Sequence, residues 1–530
     1  MQASSARSPI PLPVSLVGLA AVAALYLITR QQQFTIDSLY YLWDTEFGAG
    51  PRLLHPHHLL MQPVLRAVWS IWAWFEWPGR AVLPLQVFNV GVTLAALAAF
   101  WRLLRRLVPG RWSAPVWWLA LALAYLPWQQ STQAEGVPMY LLMATLLLWW
   151  AVRLPQGPRP TRRTALELAG TVTVAVLVHQ ALVLWAPPVA VMLAREGRPG
   201  ERWTLGALTL GAAGATVLAL YVASGAVATG SLAPADLWQW FTGYTDEFAG
   251  RCGSFALLFS TDVPRGLASS ILTGAPLKPY VFGQRPADPQ LAARLLPFAI
   301  VAVTVGVGLL RLKPAGRAAD PSGRRALLNV AVLVIIAALF AGWWEPANRK
   351  FWAPVLPGLL ALAAVGWSAP AGRWPRLAVA VPLLMTALLF GYNLAGGILP
   401  RHRHADARQP LVVFLARMVD EGDVVILQED RVWQTAIYFR PDRDVHGIPG
   451  QWSDRGDPGQ TVLRKAVAAA RQALVDGKTV YVAASEWDAV GKRLQAALGP
   501  LPDPVPVLEF GDAELLARDQ VLLAVQLPRG

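Results

Sequence analysis

The chain has 530 residues, of which 55% are hydrophobic and only 15% charged, with a mean hydropathy of +0.40. That composition excludes an ordinary soluble globule and any disordered class, and it is that of a polytopic membrane protein. The formal charge of +13 invites a nucleic-acid reading, but the basic residues are spread over separate loops instead of forming one patch.

Apolar runs long enough to cross a hydrocarbon core recur in chain order, about eleven in all. They cover residues 10–29, 82–101, 113–127, 137–152, 165–179, 181–194, 204–224, 292–311, 326–344, 351–367 and 376–396. The first follows Arg7 and resembles a signal sequence, yet "LYLITRQQQF" lacks small-residue cleavage chemistry, so an uncleaved span is expected. Arginines gather in alternate loops: Arg102, Arg105, Arg106 and Arg111; Arg153, Arg159, Arg162 and Arg163; Arg195, Arg198 and Arg202; a later set from Arg311 to Arg325; and Arg373 with Arg376. The positive-inside rule puts these loops, and the amino terminus, in the cytoplasm. A short hairpin around His179 and Gln180 is needed to keep Arg195 on that side.

The opposite, outer side then receives residues 31–81, 128–136, 225–291 and 345–350, and everything after about 398. In the first outer loop, "HHLLMQPVLRAVWSIWAWFEW" has apolar residues at helical spacing, and Trp69, Trp72, Trp74 and Trp77 suit a helix lying at the interface. After residue 397 the pattern changes. Runs at Asp423–Leu427, Thr479–Ala484 and Gln520–Leu527 alternate with helical stretches, which predicts a small α/β domain, 398–530, behind a transmembrane module, 1–397. No G-x-G-x-x-G turn follows its first strand, so no nucleotide site is assigned. Cys252 is the sole cysteine and excludes an intramolecular disulfide.

The spans are nearly free of ionisable side chains, which argues against an ion-coupled transporter. The charges stand instead at the outer ends of spans. Asp37, Tyr41 and Asp44 in "DSLYYLWD" share one face of a helix, where a partly desolvated carboxylate can act as general base; the plainer reading is that Asp37 caps that helix. His55, His57 and His58 in "HPHH" match no zinc signature, and metal binding, contact to a headgroup or sugar, and ordinary loop packing all stay open. Glu135 sits in a very short outer loop, as a site acid or a solvated one. Arg349 and Lys350 emerge on the outer side against the usual charge bias, suited to phosphate oxygens or to snorkelling towards headgroups. Asp246 and Glu247 bind substrate or simply face water.

An acid followed by "YY" in the first outer loop, "HPHHLL" turning into an interfacial helix, and a second acid in a short outer loop together resemble the GT-C superfamily of polytopic membrane glycosyltransferases. The short fifth and sixth spans and the terminal domain resemble it too; protein O-mannosyltransferases and the aminoarabinose transferases that modify lipid A are its better known members. The resemblance implies a GT-C-like α-helical membrane fold and transfer of a sugar from a polyprenyl-phosphate donor to a glycan, lipid or protein acceptor on the outer face of the membrane, and the compact loops without organelle signals lead us to expect a bacterial inner membrane. It implies Asp37 as base or acceptor-positioning group, Glu135 as second acid, and Arg349 with Lys350 at the carrier phosphate. No cofactor is required by it, with a divalent metal left as an option. Ser38 after Asp37 departs from the paired acids of the mannosyltransferases, and no D-x-D of the oligosaccharyltransferase kind is present. Two rivals from other classes are a flippase for lipid-linked saccharides and a non-catalytic scaffold of the same architecture.

Overall fold

The computed structural model describes the chain except for residues 1–11, 33, 49, 78–79, 109–111, 244–252, 278–288, 369–375, 404–408, 430–437, 439–441, 450–457, 511–519 and 527–530. It resolves into two compact units, one of residues 1–31 and 44–400, the other of residues 32–43 and 401–530.

The first unit is helical. Its elements are α1 (Leu12–Ile28), the end of α2 (Ile36–Phe47), α3 (Met61–Trp74), α4 (Val82–Leu107), α5 (Ser113–Leu123), α6 (Tyr125–Ser131), α7 (Val137–Gln156), α8 (Arg162–Val178) and α9 (Ala186–Glu196). These are followed by α10 (Arg202–Thr229), α11 (Pro234–Thr242), α12 (Asp262–Ile271), α13 (Pro289–Leu310), α14 (Leu312–Ala318), α15 (Pro321–Trp344), α16 (Val355–Ser368) and α17 (Leu377–Asn393). Among the described residues, α4, α7, α10, α13, α15 and the helix that α17 begins are long and apolar enough to cross a membrane, and α1, α5 and α16 are shorter apolar helices. Each of the eleven expected runs coincides with helix, but not always with one helix. The run at 113–127 breaks at Ala124, whose extended ψ of 144° separates α5 from α6, and the run at 181–194 starts as a 3-10 turn, Gln180–Trp185.

Local chemistry sets the helix ends. Thr161 and Thr164 form a reciprocal capping box on α8, and the Asp320 carboxylate accepts the Gly323 N–H at 2.6 Å before Pro321 opens α15. Polar side chains inside the bundle are spent on backbone groups that a hydrocarbon surrounding would leave unmet. Asn393 donates to the carbonyls of Leu123 and Ile271, each at 2.9 Å, and accepts the N–H of Thr273 at 2.9 Å, pinning α17 to α5 and to the end of α12. Trp118 and Trp367 donate to the carbonyls of Leu97 and Thr304 at 2.9 and 2.8 Å. α13 meets α16 closely enough that a Cβ on Gly366 would stand 1.8 Å from the Gly308 carbonyl oxygen, the close approach that small residues permit between membrane helices.

α3 forms as the aromatic run predicts. Ile71, Trp74, Phe75 and Trp77 are exposed, while Met61, Gln62 and Leu65 are buried against the bundle.

The second unit contains α18 (Leu399–Arg403) from Arg401 onward, α19 (Gln409–Arg417), β1 (Val424–Glu429), β2 (Asp444–Pro449), α20 (Pro458–Val475), β3 (Val480–Ala483), α21 (Ala484–Leu498), β4 (Val505–Phe510) and β5 (Gln520–Val525). The sheet order is β2-β1-β3-β5-β4, parallel through β2, β1 and β3 and antiparallel at β5 and β4. Alternate residues face opposite layers: Val424, Ile426, Val480 and Val482 pack on α20 and α21, whereas Val425, Leu427 and Tyr481 pack on α19. The expected α/β domain is present, with two strands, β2 and β4, beyond the three the sequence reading named.

Candidate active site

Glu135 is the structural centre of the first unit's polar chemistry. It lies at the end of "QQSTQAE", Gln129–Glu135, a stretch whose side chains are all buried. Such a stretch needs internal partners, and α4 supplies them. Asn89 donates from its amide nitrogen to the carbonyls of Gln133 and Glu135, both at 2.7 Å, and Gln86 donates to those of Gln31 and Thr132 at 2.8 and 2.9 Å. Gly136 follows, and a Cβ there would fall 1.6 Å from the Met61 sulfur. The glycine therefore lets the start of α3 lie directly against the start of α7. Pro138 in the first helical turn then directs the chain into α7 without losing a helix hydrogen bond.

The Glu135 carboxylate, 1% exposed, meets the Lys350 ammonium at 2.6 Å. The solvated-acid reading of Glu135 thus fails, because the loop that carries it is covered on every side. Lys350 and Arg349 stand on a 3-10 turn, Arg349–Trp352, whose first N–H groups are capped by Asn348, with its side-chain oxygen accepting the Lys350 N–H at 3.1 Å. Trp352 is buried and donates to the Pro346 carbonyl at 2.9 Å, so the turn is held from below. Arg349 lies over the Tyr125 ring at 5.0 Å, a cation–π contact with α6. Snorkelling therefore does not describe either side chain: one is bound to a buried carboxylate, the other to a ring.

The three histidines of "HPHH" gather, and a fourth joins them. His55, His57 and His58 bracket a 3-10 turn, Pro56–His58, with ring centres 5.5–6.0 Å apart, and His179 approaches His58 edge-on at 4.8 Å. His179 also stacks on Tyr140 of α7 at 4.1 Å and meets Phe351 edge-on at 6.0 Å. His55 and His179 play the same local part. Each Nδ1 accepts the backbone N–H two residues on, at 3.2 Å, and so caps its own 3-10 turn as an unprotonated nitrogen. Burial, with His58 and His55 beside it, lowers the His57 imidazole to about 2. Among the described residues no three of His, Cys, Asp and Glu are disposed to hold a metal ion. The imidazoles meet through faces and edges, and the carboxylate nearest in sequence logic, Glu135, is bound to Lys350.

Beside the histidines lies a cavity of about 760 Å³, walled by Val217, Leu218, Leu237, Trp240, Trp343 and Phe351 among others. α11 forms one wall, folded back on α10 through Gly230, whose φ of +70° only glycine adopts without strain.

Asp44 is half-buried, and burial raises its carboxyl to about 6 against the opposing pull of Arg52. Asp37 belongs to the second unit, exposed in the first turn of α2, where the Thr35 hydroxyl accepts the Ser38 N–H at 3.1 Å as the capping bond. An acid in that turn also complements the helix dipole. Tyr41 follows it on the same helix. Asp246 and Glu247 lie outside the described residues. The sequence reading did not single out Asn89, Tyr125, Tyr140 or His179 as site residues. A polar or imidazole side chain interrupting an apolar run was the available signal for Asn89 and His179; nothing marked the tyrosines.

No family model matches the chain, and no curated protein sequence matches it significantly. Solved structures do. ArnT from Cupriavidus metallidurans in the apo state superposes with a TM-score of 0.60 at 14% identity, covering 97% of this chain and 98% of that one. The same protein bound to undecaprenyl phosphate gives a TM-score of 0.56 over the same shares, again at 14% identity. The fold of this chain is accordingly the GT-C membrane fold expected from the sequence.

Proposed function

We propose that this protein is a membrane glycosyltransferase that moves a sugar from a polyprenyl-phosphate donor to an acceptor at the outer face of a bacterial inner membrane. The observation that carries the reading is the buried Glu135 carboxylate paired with the half-buried Lys350 ammonium, next in sequence to Arg349. A buried ion pair adds little to stability compared with apolar packing of the same volume, so its presence points to a role in binding or chemistry.

Sugar transfer from a lipid phosphate passes through an oxocarbenium-like transition state, and the leaving phosphate gains charge as the bond breaks. Lys350 and Arg349 are two cations on one rigid turn, placed to receive that charge. Glu135 neutralises the ammonium until a phosphate engages it. The carboxylate is then released to stand near the positive charge developing on the sugar. The carrier in the complexed ArnT is undecaprenyl phosphate, which supports the same donor class here. Asp37 is proposed separately as the base that takes the acceptor hydroxyl proton.

The test is release of polyprenyl phosphate from polyprenyl-phosphate sugars by the purified protein in liposomes, with cell-envelope extract as acceptor. Lys350→Met leaves Glu135 uncompensated and is expected to cost about 3–5 kcal/mol of stability. The double variant Glu135→Gln with Lys350→Met recovers the fold but loses about 100-fold or more in transfer. Asp37→Asn folds normally and also loses transfer. Wild-type turnover by the folded double variant would overturn the donor-site assignment, and lipid movement across the bilayer without a new glycosidic bond would make the protein a flippase.

A further inference from the structure

The cavity beside the histidines has a chemistry unlike that of the Arg349–Lys350 turn. Its volume of about 760 Å³ is that of a small-molecule site. Among the described residues, none of those lining it is Asp, Glu, Lys or Arg. The wall is aliphatic and aromatic, and indoles aside its hydrogen-bonding groups are His57, His179, Gln180, Tyr221 and Thr242. Three of these belong to one end. The Tyr221 hydroxyl donates to the Pro56 carbonyl at 2.7 Å, next to His57, and His58 bridges His57 to His179 through ring contacts of 5.7 and 4.8 Å.

We infer that this cavity binds an uncharged lipid bearing a free hydroxyl, with its hydrocarbon between α10 and α11 and its hydroxyl at the histidine end, as the acceptor of the transferred sugar. With its Nδ1 accepting the Ala181 N–H, the neutral His179 ring keeps an Nε2–H to donate, which suits a hydroxyl oxygen and does not offset an anionic headgroup. The low position of the His57 titration agrees, since the ring stays neutral across the working range. Among the described residues, no lining cation would offset a phosphate there, which would carry a large desolvation cost. The histidine end also adjoins the proposed chemistry: Phe351, which lines the cavity and meets His179, follows Lys350 directly, and Tyr140, on which His179 stacks, lies on the helix that Glu135 precedes.

The naming of the occupant as acceptor rests on the transferase reading, whereas its binding does not. The test therefore uses no sugar donor. Purified full-length protein in nanodiscs is irradiated with diacylglycerol carrying a photoactivatable tail, with phosphatidic acid of identical tails, and with a photoactivatable polyprenyl phosphate, and the labelled peptides are mapped by mass spectrometry. The diacylglycerol is expected to label residues 214–222 or 234–242 about tenfold or more above the phosphatidic acid, the factor that one unpaired buried charge commands. Val217→Trp, which narrows the cavity beside Leu218 and Tyr221, reduces that labelling. Equal labelling by the two glycerolipids, no labelling of these segments, or preferential labelling by the polyprenyl phosphate would each overturn the inference. Because wild-type labelling decides the matter, a misfolded variant cannot rescue or sink it. Loss of sugar transfer with labelling intact would count against the transferase reading alone.

Discussion

Asp44 shows how one side chain's surroundings become a measurable property. Its carboxyl is raised from about 3.8 to about 6 because burial disfavours the anion more than Arg52 favours it. The folded state thus holds the proton more tightly than the unfolded chain. The stability this contributes is complete below about pH 3.8 and is lost as pH rises through about 6. Asp44→Asn should therefore melt above wild type at pH 7.5, followed by tryptophan fluorescence in detergent, with the gap closing at pH 4. A gap independent of pH would show that Asp44 is not strained in this way. The sequence placed Asp44 on a helical face with Asp37 and Tyr41, which was legible from spacing. Its burial was not, because that depends on groups the linear pattern does not bring together. Glu135 makes the same point more sharply. Its short loop read equally as solvated or functional, and only the cover provided by α4, through Asn89, and by Met61 of α3 decides between them.

At the level of elements, hydrophobic runs betray membrane helices because lipid demands apolar length: among the described residues six of the runs are helices long and apolar enough to span and three more are shorter apolar helices. What the runs do not show is where a helix breaks. At Ala124 the signal stands three residues on: Pro127 has no N–H for the Leu123 carbonyl, which accepts from Asn393 instead, and the helix breaks between α5 and α6. In the terminal unit the three strands recognised in advance are the interior ones, β1, β3 and β5. The two missed, β2 and β4, are edge strands. They carry Gly447 and Pro449, and Pro506 at a register shift, which interior strands do not tolerate and edges do. Close helix contact is likewise invisible in hydropathy. At Gly366 it yields a firm expectation: Gly366→Ala drives a methyl into the Gly308 carbonyl and must part α13 from α16. A cost of about 1–3 kcal/mol is expected from overpacking. It would be read as a lower melting midpoint in detergent, while Gly214→Ala, where a methyl meets open space, should leave the midpoint unchanged. Equal midpoints for the two variants would contradict the tight α13–α16 contact.

For the whole molecule, composition and the alternation of arginine-bearing loops carried the reading as far as a polytopic membrane protein, the short outer-loop motifs added a resemblance to GT-C proteins, and the superposition on ArnT bears that fold out. The cavity was not legible, since its walls are assembled from α8, α10, α11 and α15, segments far apart in the chain. The first unit carries a turn bearing two cations, Arg349 and Lys350, and a cavity whose described lining is apolar and uncharged; we propose phosphate at the first and a hydroxyl lipid in the second. The central claim concerns the first of these. It is tested most directly by a cryo-EM map of the nanodisc-embedded protein incubated with polyprenyl-phosphate sugars. The account predicts phosphate density within hydrogen-bonding distance of Arg349 and Lys350, with the Lys350 ammonium turned from Glu135 towards it. A bound carrier whose phosphate lies away from both cations, with the Glu135–Lys350 pair undisturbed, would contradict it.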